Sequence, residues 1–147
     1  MKQCHSRSIE IIKKFLGGVV PRALFRALDV AGGDGRFATS FLLKSYRHVD
    51  LFDQCPKAVS LAKRVMKNYP AFGYAEQATM QDFRWRFRYS AIFMVWCAGY
   101  LARPDLVKFL KRAKASLMVD EGRNTRQSEQ ESFIFLLDNV LARRERA

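Results

Sequence analysis

The sequence predicts an α/β fold in which helices flank a mostly parallel sheet. Three observations predict it. Short apolar runs alternate three times with helical patterns. Glycines crowd the first strand-to-helix junction, in LDVAGGDGR over residues 28–36. The run SAIFMVWC, residues 90–97, is apolar almost throughout, as a central strand buried on both faces must be.

The elements follow in order. A first helix is expected over 6–16, capped by Ser6 or Ser8, with Ile11, Ile12, Phe15 and Leu16 apolar and Gly17 and Gly18 ending it. Pro21 prevents its resumption. Residues 27–30 form a strand that runs into Gly32, Gly33 and Gly35, after which Phe37, Phe41 and Leu42 recur at helical spacing. Residues 49–52 form the next strand, closed by Asp53, and Pro56 opens a helix with Val59, Ala62, Val65 and Met66 on one face. Residues 73–78 are a weaker strand and 90–97 the central one. Pro104 then opens a helix whose Leu106, Val107, Phe109 and Leu110 oppose Lys108, Lys111 and Arg112. Beyond residue 117 the pattern weakens. Residues 120–131 read as a polar loop, and 132–144 as a helix with Phe133, Leu136, Leu137, Val140 and Leu141 apolar, so no further strand is expected.

With 147 residues, 49% of them hydrophobic, the chain can bury one modest core, and a single domain over 1–147 is expected. No apolar run approaches the roughly 20 residues that span a bilayer, and the charged amphipathic start lacks a signal peptide's apolar block. Cytosol or nucleus is favoured, and the basic, acid-poor opening is also compatible with a mitochondrial leader. Cys4, Cys55 and Cys97 are widely spaced and odd in number, and His5 has only His48 as a companion histidine, so neither a disulfide framework nor a metal site is assigned. The formal charge of +12 favours an anionic partner without naming it. The segment RWRFR, residues 84–88, could offer stacking and phosphate contacts to a nucleic acid. The favoured reading is a strand approach with the arginines in solvent and Trp85 and Phe87 inward.

Glycines between a strand and a helix let the backbone approach a ligand and expose helix N-terminal amides. Asp53 follows Gly35 by one β–α passage, about the 20-residue separation that aims a carboxylate at ribose hydroxyls. No Lys-Ser or Lys-Thr follows the glycines, which excludes a P-loop. Residues 23–117 are therefore expected to form a Rossmann-like, nucleotide-binding half.

Five blocks make the reading more specific: LDVAGGDGR, VDLFD (49–53), MQDF (80–83), WCAGYL (96–101) and FLKRAKASL (109–117). In order and approximate spacing they resemble the alpha N-terminal protein methyltransferases. The resemblance implies a class I fold dependent on S-adenosylmethionine (SAM), with SAM as cofactor. It also implies methylation of the terminal α-amine of proteins that begin Xaa-Pro-Lys once the initiator Met is removed. By the same resemblance Gly33 and Gly35 would line the methionine end of SAM, Arg36 would hold its carboxylate, Asp53 the ribose diol, and Met80 with Gln81 the adenine edge. Arg36 is chemically apt, because a guanidinium offers a forked donor pair to a carboxylate. Trp96 would shape the substrate entrance, or is a core tryptophan at a strand end. Asp82 is either part of the site or a loop residue.

The sequence also departs from the family. Tyr100 stands where the family has a histidine, which makes it the candidate catalytic position, although a hydroxyl with a pKa near 10 is a poor base at neutral pH. Val95 replaces a glutamine, and Ala31 replaces the first motif glycine, a change tolerable only at negative φ. The family's Leu-Gly-Gly substrate loop is lacking. So is a fifth strand ending in Asp-Asn, for which MVDEGRN (118–124) is a short substitute, while Glu129 and Glu131 read as solvated loop carboxylates. The C-terminal strands are therefore expected to be missing. A partner protein covering the edge, a locally rebuilt fold or a truncated gene product would each follow. The function expected is SAM-dependent methylation of protein N-termini. The alternative is a catalytically degenerate subunit with a structural role, on RNA or a ribonucleoprotein. A nucleic-acid methyltransferase would want an Asn-Pro-Pro-Tyr-like block or a cysteine nucleophile; WCAG supplies neither, since Cys97 has no base nominated beside it. A carboxylate or imidazole beside Tyr100 would favour the enzyme; an apolar edge near the last helix would favour the subunit.

Overall fold

Alternation along the strands decides which helix packs where. The computed structural model describes residues 2–15, 25–119 and 132–138. Strands β1 (Arg26–Val30), β2 (His48–Asp53), β3 (Phe72–Gln77), β4 (Ala91–Val95) and β5 (Phe133–Leu137) form one sheet in the order β3-β2-β1-β4-β5, with every pairing parallel. Along β1, Ala27 faces one side and Leu28 and Val30 the other, and all three are buried. On Ala27's side pack Ile12 of α1 (Lys2–Phe15), Phe37, Phe41 and Leu42 of the helical segment after β1, and Val59, Ala62 and Met66 of α3 (Pro56–Met66). Phe109 and Ala113 of α4 (Arg103–Ala115) pack on the opposite side, beside Phe83 and Tyr89. The segment after β1 is π-helical over Ala38–Leu42 and passes into the short α2 (Leu43–Ser45).

The largest correction is at the C-terminal end. The expected helix over 132–144 is instead strand β5 over its described part, in register with β4 from Ala91↔Phe133 to Val95↔Leu137. Phe133, Leu136 and Leu137 satisfy a helical spacing, yet FIFLL is also a short apolar run, and a parallel partner already in place selects the strand. The substitute strand sought at 118–124 is not where the fifth strand forms. Leu117 makes only an isolated bridge to Tyr89, and residues 120–124 lie outside the described residues. So do the expected loop over 120–131, with Glu129 and Glu131, and Leu16, Gly17, Gly18 and Pro21.

Smaller corrections concern helix faces. The first helix starts at Lys2 and buries Ser8 and Ile12, one turn apart, leaving Ile11 exposed. Val65 and Val107, expected on apolar faces, are exposed as well. In RWRFR, Trp85 turns inward against Phe83 and Phe109, whereas Phe87 stays out, capping the Arg26 guanidinium at 3.6 Å. The backbone there is irregular, so alternation does not hold.

Towards the N-terminal ends of the strands a buried carboxylate is fully engaged. Asp50 accepts hydrogen bonds from Arg26 Nε at 2.6 Å and Nη2 at 3.0 Å, from the Tyr74 amide at 3.1 Å and from the Tyr89 hydroxyl at 2.9 Å. No described helix is long and apolar enough to cross a membrane.

Candidate functional site

In an open parallel sheet, strands that leave in opposite directions from a central pair open a crevice at their C-terminal ends. Here the order reverses between β1 and β4, and a cleft of about 670 Å³ lies there. The first four strands feed it: Ala31 and Gly33 follow β1, Asp53 closes β2, Met80 and Gln81 follow β3, and Trp96 and Tyr100 follow β4.

The turn after β1 is left-handed at three places, Ala31 (φ 51°), Gly33 (φ 59°) and Gly35 (φ 82°). Ala31 therefore contradicts the expectation of negative φ. The left-handed region costs a residue with a Cβ about 1–2 kcal/mol. The two glycines divide their work. A Cβ on Gly33 would meet nothing within 4 Å and would stand in the open cleft, whereas one on Gly35 would sit 3.3 Å from Met66 Sδ. Gly35 thus faces α3 rather than the cleft.

Asp53 is held by its own turn. Oδ2 accepts the Gly33 N–H at 2.9 Å and Oδ1 the Cys55 N–H at 2.8 Å, and each oxygen keeps a lone pair for another donor. Met80 and Gln81 sit on a turn closed by the Asp82 amide bonding Thr79 and by Phe83 stacking on Phe52 with centroids 4.1 Å apart. Asp82 is an exposed member of that turn, where it accepts from the Thr79 hydroxyl, and it is not among the residues that line the cleft. Arg36 lies outside the cleft too. Its side chain is half exposed and pairs with Asp34 at 2.8 Å.

Trp96 is a second residue with φ near 60°, and strain in a bulky residue persists only where its surroundings hold it. Its amide bonds the Leu137 carbonyl at 2.7 Å and its indole N–H donates to Ser8 Oγ at 2.8 Å, so it ties β4 to β5 and α1 while lining the cleft. Tyr100, on a 3-10 turn, is 78% exposed at the cleft mouth. The neighbouring Gly99 amide donates to Asp138 Oδ2 at 3.0 Å. A carboxylate thus stands one residue from Tyr100.

Two carboxylates escaped the sequence reading. Asp138 lies inside the expected helix, whereas in the structure it directly follows strand β5. Asp29 was read only as part of a strand. It is 2% exposed, its Oδ2 has no hydrogen-bond partner, and burial together with the charge of Asp53 pushes its carboxyl up to about 8. Burial, then Asp29, Asp138 and Asp53, push the Cys97 thiol up to about 12. Cys97 is therefore a protonated thiol at neutral pH, not a nucleophile.

The chain matches known proteins over most of its length. The model of a family described as AdoMet-dependent proline di-methyltransferases matches residues 5–133. The alpha N-terminal protein methyltransferase 1 of Dictyostelium discoideum is 33% identical over 117 residues, which are 72% of this chain and 41% of that protein. The N-terminal Xaa-Pro-Lys N-methyltransferase 1 of Danio rerio is 32% identical over 75% of this chain and 51% of its own. A solved SAM-dependent methyltransferase from Leishmania major superposes with a TM-score of 0.73 at 30% identity, covering 80% of this chain and 48% of that one. This chain spans about half the length of these relatives.

Proposed function

The chain belongs to the family of AdoMet-dependent proline di-methyltransferases, and from that premise we propose that it binds SAM in the β1–β4 cleft and methylates protein N-terminal α-amines. The observation that carries the reading is the Asp53 carboxylate, held rigidly at the cleft wall by two backbone amides with acceptor capacity to spare. It is suited to a ribose diol. The open space over Gly33 accommodates a ligand chain passing over the backbone, and Met80 and Gln81 offer an apolar and a polar surface for the adenine. Arg36, half exposed and paired with Asp34, would hold the cofactor carboxylate by exchanging one carboxylate for another.

When bound, SAM supplies an electrophilic methyl group. The chain's own task is to align a neutral amine with it and to favour loss of the amine proton. An α-amine titrates near pH 8, so a modest bias is enough. Asp138, whose Oδ2 accepts the Gly99 amide one residue from Tyr100, is the acceptor we assign to that amine, with the Tyr100 hydroxyl at the cleft mouth as a second. Trp96, which lines the same cleft, would shape the entrance. A peptide beginning Xaa-Pro-Lys is the expected substrate, following what the relatives' names state.

Calorimetric titration with SAM and S-adenosylhomocysteine tests the reading. Saturable binding is expected for the wild-type chain, with affinity at least about tenfold weaker in Asp53→Ala. A folded wild-type chain that binds neither would overturn it.

A further inference from the structure

An arginine on α4 acts on the cleft from behind. Arg112 donates from Nη1 to the Gln81 carbonyl at 2.8 Å and from Nη2 to the Met80 carbonyl at 2.9 Å. The guanidinium is a rigid planar fork, so two bonds to consecutive carbonyls define the orientation of both peptide groups, which a single ammonium would not do. In a trans peptide the N–H points opposite the preceding carbonyl. Anchoring the Met80 carbonyl on α4 therefore turns the Gln81 N–H away from α4. That N–H makes no hydrogen bond among the described residues, and both Met80 and Gln81 line the cleft.

The turn does not need Arg112 in order to close. Thr79 bonds the Asp82 and Phe83 amides, the Thr79 and Asp82 side chains bond each other, and Phe83 stacks on Phe52. What Arg112 adds is the direction of two peptide planes. We propose that Arg112 is a positioning residue that sets the cleft's affinity for an adenine base by presenting the Gln81 amide as a donor to the purine edge. This rests on the reading that SAM occupies the cleft.

The test uses the full chain as wild type, Arg112→Lys and Arg112→Ala, titrated with S-adenosylhomocysteine and with adenosine, alongside amide hydrogen exchange without ligand. Arg112→Ala is expected to weaken both ligands by the same factor, about tenfold. Arg112→Lys should recover little of the loss, and millimolar guanidinium ion should restore part of it in Arg112→Ala. Exchange at the Asp82 and Phe83 amides, which Thr79 holds, should be unchanged in Arg112→Ala, as should that in β1 and β4. A purely structural role would instead move exchange across the sheet and leave guanidinium without effect. If the wild type binds both ligands and folded Arg112→Ala binds them equally well, the positioning role is wrong and the cofactor reading stands. If the wild type binds neither, both fall.

Discussion

Asp50 and Asp29 occupy adjacent strands one residue out of register, buried on opposite faces of the same sheet, and their surroundings could hardly differ more. Asp50 receives four hydrogen bonds, two of them from the Arg26 guanidinium. Asp29 keeps one oxygen without a partner, with the Asp53 carboxylate close enough to push its proton affinity up. A charge buried with all its partners ties strands together. A carboxylate buried without them persists where something besides stability is selected, and this one lies two residues before the strained Ala31.

Removing each carboxylate should therefore have opposite consequences. Asp50→Ala leaves the Arg26 guanidinium and the Tyr89 hydroxyl without their acceptor, and a loss of about 3–5 kcal/mol in urea unfolding is expected. A loss below about 1 kcal/mol would mean that the network contributes no more than a surface ion pair does. Asp29→Asn should stabilise instead. The folded-state value of Asp29 lies above its ordinary 3.8, so the fold keeps a proton that the unfolded chain releases. Its cost is absent below about pH 4, grows as pH climbs from there to about 8, and is constant beyond. The amide cannot ionise. The variant should gain about 1–3 kcal/mol at pH 8, little at pH 4, and show a flatter stability profile between the two. Equal gains at both pH values would mean that folding does not raise the proton affinity of Asp29.

The smallest effect concerns Ala31. Glycine removes the left-handed strain but makes the unfolded chain more flexible, and the two terms nearly offset, leaving a net gain of about 0.5 kcal/mol. Thermal unfolding of Ala31→Gly reads it directly. A destabilised variant would show that the alanine methyl packs well enough to outweigh the strain.

How much of this was legible depended on distance along the chain. The first four strands announce themselves because glycine or proline punctuates each apolar run. Asp53 is legible because it closes a strand one β–α passage beyond the glycines, whereas Met80 and Gln81 are reached only through the family resemblance. β5 could not, since Phe133, Leu136 and Leu137 fit two periodicities and only β4, about 40 residues earlier, decides between them. Asp138 went unseen with it. The clamp of Arg112 on Met80 and Gln81 joins residues that no local pattern connects. Ala31 misled for a related reason: a residue's identity suggests its φ, but the turn into the next helix imposes it. Arg36 shows the converse, a local preference taking over, because an exposed guanidinium at a helix start meets Asp34 two residues away.

The chain has two tryptophans, and they report on different things. Trp85 is packed among Phe83, Tyr89 and Phe109, away from the cleft lining. Trp96 has one face in the cleft and its indole nitrogen on Ser8 of α1. The protein thus carries its own optical probe and its own internal standard. A ligand that fills the cleft is expected to alter the emission of one indole and shield it from acrylamide, while the other emits as before.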